Sequence, residues 1–389
     1  MSCYISSNEN RFYAAVEPAF GAAATVSGSN RLPAVKLAAR QVLESVQRRD
    51  KTGSRTFWGI PYGARRRTTF ELTSYMTSWD PLDAEPAHGP LFHAALGAAA
   101  LSFSGGTVSS VTGLELRLNE AHGLSVGQAI SCGGEIRFVT AIVDSQAVTL
   151  NAPLTSAPAP GATVDRTVTY KLATDLPSVS VYDYWSPETA VHRILTGAAV
   201  DELQISVNGD FHEFGFRGMA ADLIDSASFT SGQGGLLEFP EEPVVEDLNY
   251  AVIPGNLGQA WLGANPDQFF TLTKAEIVLN NALDLRSREF GMTDPQCISA
   301  GLRNVTANFS LFEKADAATK SLYQAARERM PVAAMFQLGQ RSTQLCGVYM
   351  ANVVHEVPEF IDDDSSLEWK FKDCRAQGTV DNEICIAFG

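Results

Sequence analysis

Histidine, cysteine and carboxylate side chains are where chemistry would start, and in this chain they are scattered. The six histidines, His88, His93, His122, His192, His212 and His355, form no HxH or HExxH pair, so a metal centre would have to gather ligands from distant segments. Isolated histidines of this kind are as a rule structural. The six cysteines, Cys3, Cys132, Cys297, Cys346, Cys374 and Cys385, include no CxxC, which argues against a zinc site or a disulfide framework and for buried, reduced thiols. There is no G-x-S-x-G elbow and no P-loop: Ser231-Gly232-Gln233-Gly234-Gly235 lacks the lysine and the helix that cradle phosphate, and reads as a flexible linker. Asp362-Asp363-Asp364-Ser365-Ser366 lacks the glycine and the bidentate glutamate of a calcium loop and reads as a solvated turn. Asp201 and Glu202 would offer a hydrolase two carboxylates, but neighbours on a strand point to opposite faces. The expectation is a protein without catalytic residues, cofactor or bound metal.

Charge narrows the partners. With 29 Lys and Arg against 44 Asp and Glu the formal net charge is −15, unsuited to gripping nucleic acid phosphates, which must be neutralised by basic side chains. Arg65-Arg66-Arg67, with Arg48 and Arg49 near in sequence, is the basic cluster of this acidic chain, and fits an acidic face on a neighbouring subunit better than a nucleic acid. The sequons Asn304-Val305-Thr306 and Asn308-Phe309-Ser310 read as coincidental. The first residues lack the basic start and apolar core of a signal peptide, and no apolar run is long enough to span a bilayer; a soluble protein made in a cytoplasm is expected.

The elements that must position these residues are mostly strands, runs rich in Val, Ile, Thr and aromatics punctuated by Gly, Asn, Asp and Pro. Leu203 to Phe216 places two alternating runs around Asn208-Gly209, the dipeptide of a tight hairpin turn. Helices are expected near Leu91 to Ala100 and at Asp316 to Arg329, where Leu322, Ala325 and Ala326 recur at helical spacing before Pro331. Short strands between glycine-rich turns from 104 to 170 read as a small inserted β domain, and 230 to 248, with Glu238-Phe239-Pro240-Glu241-Glu242-Pro243, as a linker.

The cues also recur in order. Phe12-Tyr13-Ala14-Ala15-Val16 is answered by Tyr250-Ala251-Val252-Ile253, Arg67 to Thr73 by Asn304 to Ser310, and Pro90 to Leu96 by the helix around Leu322. The pair Asp201 to Val207 and Phe211 to Phe216 is answered by His355 to Phe360 and Ser366 to Phe371. The expected fold is mainly β: two β-sandwich or barrel domains, 1–103 with 171–229 and 249–389, each with one flanking helix, plus the insert.

This order, with Cys297 to Thr306, the helix at Thr319 to Arg327, Met335-Phe336-Gln337-Leu338-Gly339, Gly347-Val348-Tyr349-Met350 and Asp381 to Phe388, resembles the major tail tube proteins of long-tailed bacteriophages in which the tube domain is duplicated. The resemblance implies tail-tube-like domains assembled as homotrimeric, pseudo-hexameric rings stacked into a hollow conduit. Its implied partners are further copies of the chain, the tape measure, tail terminator and tail tip proteins, and double-stranded DNA that passes without specific binding. It implies a place in the virion tail, assembly in the bacterial host cytoplasm and no membrane insertion. An acidic lumen would let phosphates slide, and Asp201, Glu202 and Glu213 are the acidic candidates for it; Arg65, Arg66, Arg67, Tyr13 and Tyr250 are candidates for contacts between subunits. Two alternatives differ in what they require. A tail tip or baseplate hub of the same fold would cap a tube rather than polymerise, whereas a β-sandwich that binds carbohydrate or a cell surface would group exposed aromatics such as Trp58, Trp185 or Trp261.

Overall fold

The computed structural model describes residues 4–44, 50–56, 59, 65–80, 83–245, 250–263, 268–285, 289–314, 316–363 and 366–389. The chain is mainly β, and its largest sheet is antiparallel throughout. One ladder runs in space through Arg11–Val16, Val179–Tyr184, Arg193–Val207, Glu213–Ala220, Arg66–Tyr75 and Ala34–Leu43. A second runs through Gly258–Leu262, Val332–Leu338, Cys346–Val354, Ser366–Ala376, Asn304–Phe312 and Leu272–Asn280. Connectivity and helix position are the same in both: Gly89–Leu96 follows Arg66–Tyr75, and Ala317–Glu328 follows Asn304–Phe312. Each ladder also carries a bulge immediately before a lysine, between Ala34 and Lys36 in one and Leu272 and Lys274 in the other.

Alternation explains which face is buried. In Arg66–Tyr75, Phe70 and Leu72 point into the core while Arg67, Thr69 and Glu71 look outward; in Leu272–Asn280, Ala275, Ile277 and Leu279 are the inward set. The two helices differ with their surroundings. Ala317–Glu328 is amphipathic, capped by Asp316, which accepts the Thr319 amide at 2.7 Å, and buries Thr319, Leu322 and Ala326. Gly89–Leu96 begins with Pro90 in its first turn and is buried almost all round, Phe92 lying 5.1 Å from the rings of both Phe214 and Phe388. The strand Cys385–Phe388 sits between Cys346–Val354 and Thr167–Lys171, joining the second ladder to the segment that covers this helix.

A separate six-stranded sheet spans Gly106–Thr112 to Thr163–Val164 around Val108, Leu116, Ile130, Val139 and Val148. The strand Thr167–Lys171, which the sequence assigns to the insert, belongs instead to the large sheet, where Thr167 faces Phe103 in register. The other side of the small sheet presents Ile136 and Phe138 to Trp261, Met335 and Leu345. Arg137 is fully buried at this seam and finds a partner for each nitrogen: Pro153 O at 2.9 Å, Ile136 O at 2.8 Å, Gln337 Oε1 at 3.1 Å, Glu135 at 2.6 Å and Gln259 at 3.2 Å. A buried guanidinium is tolerated only when satisfied in this way.

The expected tight turn at Asn208-Gly209 is a correction. Asn208 takes a positive φ of 65°, but the strands separate at Ser206 and Glu213, leaving a longer tip. The tip is drawn open because 252–257 pairs with it: the His212 amide donates to Ile253 and the Gly255 amide to Asp210 at 3.1 Å. A tertiary pairing has overridden the local turn preference.

Candidate assembly surfaces

The two ladders meet edge to edge within the chain. Glu202–Val207 of the long strand Arg193–Val207 pairs antiparallel with Ala275–Asn280 of Leu272–Asn280, on the side not occupied by Glu213–Ala220. The inward pairs Leu203 with Leu279 and Ile205 with Ile277 are all within 1% of complete burial, each side chain stabilising by roughly 2 kcal/mol. Outside them Gln204 donates to Glu276, and beyond them the Asn281 side chain donates to Ala95 O at 2.9 Å and Val200 O at 3.1 Å. The junction is thus a continuous sheet with a dry inner face.

Two strands equivalent to those at the junction lack this pairing. Ala34–Leu43, the counterpart of Leu272–Asn280, pairs with Arg66–Tyr75 alone, and Glu359–Asp363, the counterpart of the end of Arg193–Val207, pairs with Ser366–Ala376 alone, among the described residues. Both carry exposed apolar groups: Val35, Val42 and Leu43 on the first, Phe360 on the second with Val357 just before it, Val35 and Phe360 being 51% and 55% exposed. Unpaired edges with exposed apolar side chains are the template for adding a strand.

The polar face of the joined sheet carries both signs of charge. Arg217 donates to Glu71 at 3.0 Å and to Glu202 at 2.9 Å, so Glu202 is paired rather than a free anion. Asp201 accepts the Leu283 amide at 2.7 Å, holding down the arm of residues 281–285 and 289–303. That arm walls a crevice of about 1010 Å³ with Arg40, Arg66, Glu71 and Arg217. Glu213 is half-buried, opposite Tyr75 and Ser206 in the register. The alternation expected to send Asp201 and Glu202 to opposite faces is broken by a register shift between Val200 and Glu202, and both line the same crevice, Glu202 tied to Arg217 and Asp201 to the Leu283 amide.

Among the candidates for contacts between subunits, Tyr13 lies inside the molecule. It is completely buried, edge-on to Tyr184, and donates to Glu242 at 2.8 Å, because the segment 230–245 is strapped across its strand instead of hanging free as a linker. Arg11 donates to the same carboxylate at 2.6 Å; burial would raise the pKa of Glu242, but the hydrogen bonds from Arg11 and Tyr13 hold it below its usual range. Arg66 is half-buried and faces Asp222 at 3.3 Å and Asp294 at 3.6 Å, so it is committed within the chain. Arg65 is half-buried, its carbonyl accepting the Glu44 amide, while Arg67 and Tyr250 are exposed. Arg48, Arg49 and Trp58 fall outside the described residues. Trp261 is buried under the insert and Trp185 lines a different crevice with Arg11, His192 and Glu242, so these two do not form one aromatic platform.

Sequence reasoning missed Glu17, Arg137 and the edges themselves. Glu17 is buried and accepts from Ser178 at 2.6 Å, Ser180 at 2.8 Å and the amides of Gly21 and Gly197 at 2.9 and 2.8 Å. The available signal was a lone acid closing the apolar run Phe12–Val16 before a proline. Cys132, Cys346, Cys374 and Cys385 are buried free thiols, with burial pushing Cys374 up to about 12, and Cys297 is exposed. Among the described residues no three His, Cys, Asp or Glu side chains are gathered as metal ligands, and no helix is long and apolar enough to cross a membrane. No protein-family model matches the chain, and no curated protein matches it.

Proposed function

We propose that this chain is a structural subunit of a bacteriophage tail tube, assembling as trimeric rings of two-domain chains that stack into a hollow conduit for DNA. The observation that carries the reading is the pair of like-ordered ladders fused edge to edge, with the equivalent edges at either side unpaired among the described residues. A duplicated unit that already joins to itself once within the chain can repeat that joint between chains, and a constant rotation per joint closes a ring. The mixed-sign polar face, in which Arg217 neutralises Glu71 and Glu202, offers no dense basic track to hold passing phosphates. In this role the chain is not an enzyme and takes no cofactor, and it meets tape measure, terminator and tip proteins along the tube.

Electron microscopy of the purified protein at rising concentration tests the proposal. Hollow tubes or stacked rings with threefold symmetry are the expected result. Persistent monomers would overturn it, and single trimeric rings that never stack would convert it to a hub or tip.

A further inference from the structure

The two unpaired edges are equivalent to the two strands paired at the intrachain junction, so the junction itself supplies a register for joining separate copies. The shared bulge sets Lys36 in the place of Lys274, and the ladder partners Phe216 and Phe371, facing Leu72 and Phe309, set Phe360 in the place of Ile205. Carrying the junction's pairs across this equivalence puts Glu359 opposite Arg40, Phe360 opposite Ala39 and Val357 opposite Val42. The side chains suit those places. Phe360, large and more than half exposed, meets a small alanine where the intrachain junction has two isoleucines; an exposed arginine meets a glutamate; two exposed valines meet each other. Glu359 already accepts from Lys372 at 2.8 Å, as Glu276 of the junction accepts from Gln204, and retains capacity for a second cation.

We infer that strand Ala34–Leu43 of one copy adds antiparallel to strand Glu359–Asp363 of the next, with Arg40 beside Glu359 and Val42 beside Val357, continuing the sheet from chain to chain. This rests on the self-assembly reading above and fixes which edges meet and in what register. Directly opposed residues of an antiparallel pair bring their Cα atoms to about 4.5–5.5 Å, within the span of a disulfide between substituted cysteines.

The test uses full-length chains in which Cys3 and Cys297 are replaced by serine. Mixing Val42→Cys with Val357→Cys chains under mild oxidation is expected to give a covalent dimer. Mixing Val35→Cys with Val357→Cys, which is out of register, is expected to give none, and a chain carrying both Val42→Cys and Val357→Cys should close into a covalent trimer. As a second measurement, Arg40→Glu or Glu359→Arg alone should weaken association about tenfold or more, and the two together in one chain should restore it. Rings or tubes in the microscope without the in-register crosslink, or with equal crosslinking from the offset pair, would overturn this pairing while leaving self-assembly standing. Monomers at every concentration would overturn both.

Discussion

Single buried polar groups set the conditions under which this fold survives. His88 is completely enclosed, donating through Nε2 to the Tyr75 carbonyl at 3.0 Å, and His355 lies against Phe309 and Phe371 with no partner for either ring nitrogen among the described residues. Burial lowers both from 6.5 to about 4. The unfolded chain therefore takes up these protons before the folded one does, and stability is full above pH 6.5 and lost as pH falls toward 4, by up to about 3 kcal/mol for each histidine. Urea midpoints measured from pH 7.5 to 4 should show that slope. His355→Leu should reduce the slope and raise the midpoint at pH 7 by removing two unsatisfied buried nitrogens, a gain of about 1 kcal/mol; an unchanged slope would mean the histidine is protonated in the fold. Glu17→Ala should cost about 3 kcal/mol, since it strands two hydroxyls and two amides at once.

At the scale of elements, the long strand Arg193–Val207 serves two neighbourhoods by bending at Gly197. Gly197 has φ of 60°, and a Cβ there would sit 2.6 Å from the Ala221 methyl and 3.0 Å from the Phe20 ring. Gly197→Ala should lower stability by about 2 kcal/mol or more, whereas Gly113→Ala, at φ of 62° with nothing within 4 Å, should cost only about 1 kcal/mol of left-handed strain. Equal thermal shifts in the two variants would show that the strand does not need the bend. The strands and helices themselves were largely legible in the sequence, because alternation and helical spacing are local signals: the helix expected at Asp316 to Arg329 is Ala317–Glu328, and the one expected near Leu91 to Ala100 is Gly89–Leu96. Partnership was not legible. Nothing in the run Leu203 to Val207 says that Leu272–Asn280 will lie on its free side, and nothing near Asn208 announces that 252–257 will pry the turn open. Tyr13 and Arg137 were misplaced or missed for the same reason, since the distant partners that satisfy them, Glu242 for Tyr13 and Gln337 and Gln259 for Arg137, are assembled by topology.

For the molecule as a whole, the insert acts as a docked unit rather than a pendant one. Phe103 and Thr167 are register partners, so replacing 104–166 by a short Gly-Ser connection should leave the large sheet formed but bare Trp261, Met335 and Leu345. The expected readouts are a lower melting temperature and new binding of an apolar dye, and a variant that gains neither would show that the seam contributes nothing. Arg137→Leu should loosen the same seam by about 3 kcal/mol, because Glu135 then stays behind without its guanidinium. The strand Cys385–Phe388 carries a different consequence, in the order of synthesis. The apolar helix Gly89–Leu96 leaves the ribosome long before Phe388, one of the rings that pack on Phe92, has been made. Tyr170, Phe214 and Phe216 cover part of it earlier, but the side that Phe388 caps stays bare until the last residues are made, so a nascent or stalled chain is the form most exposed to chaperones and to clumping, and expression at low temperature or with added chaperone should raise the soluble yield more than it alters the finished protein.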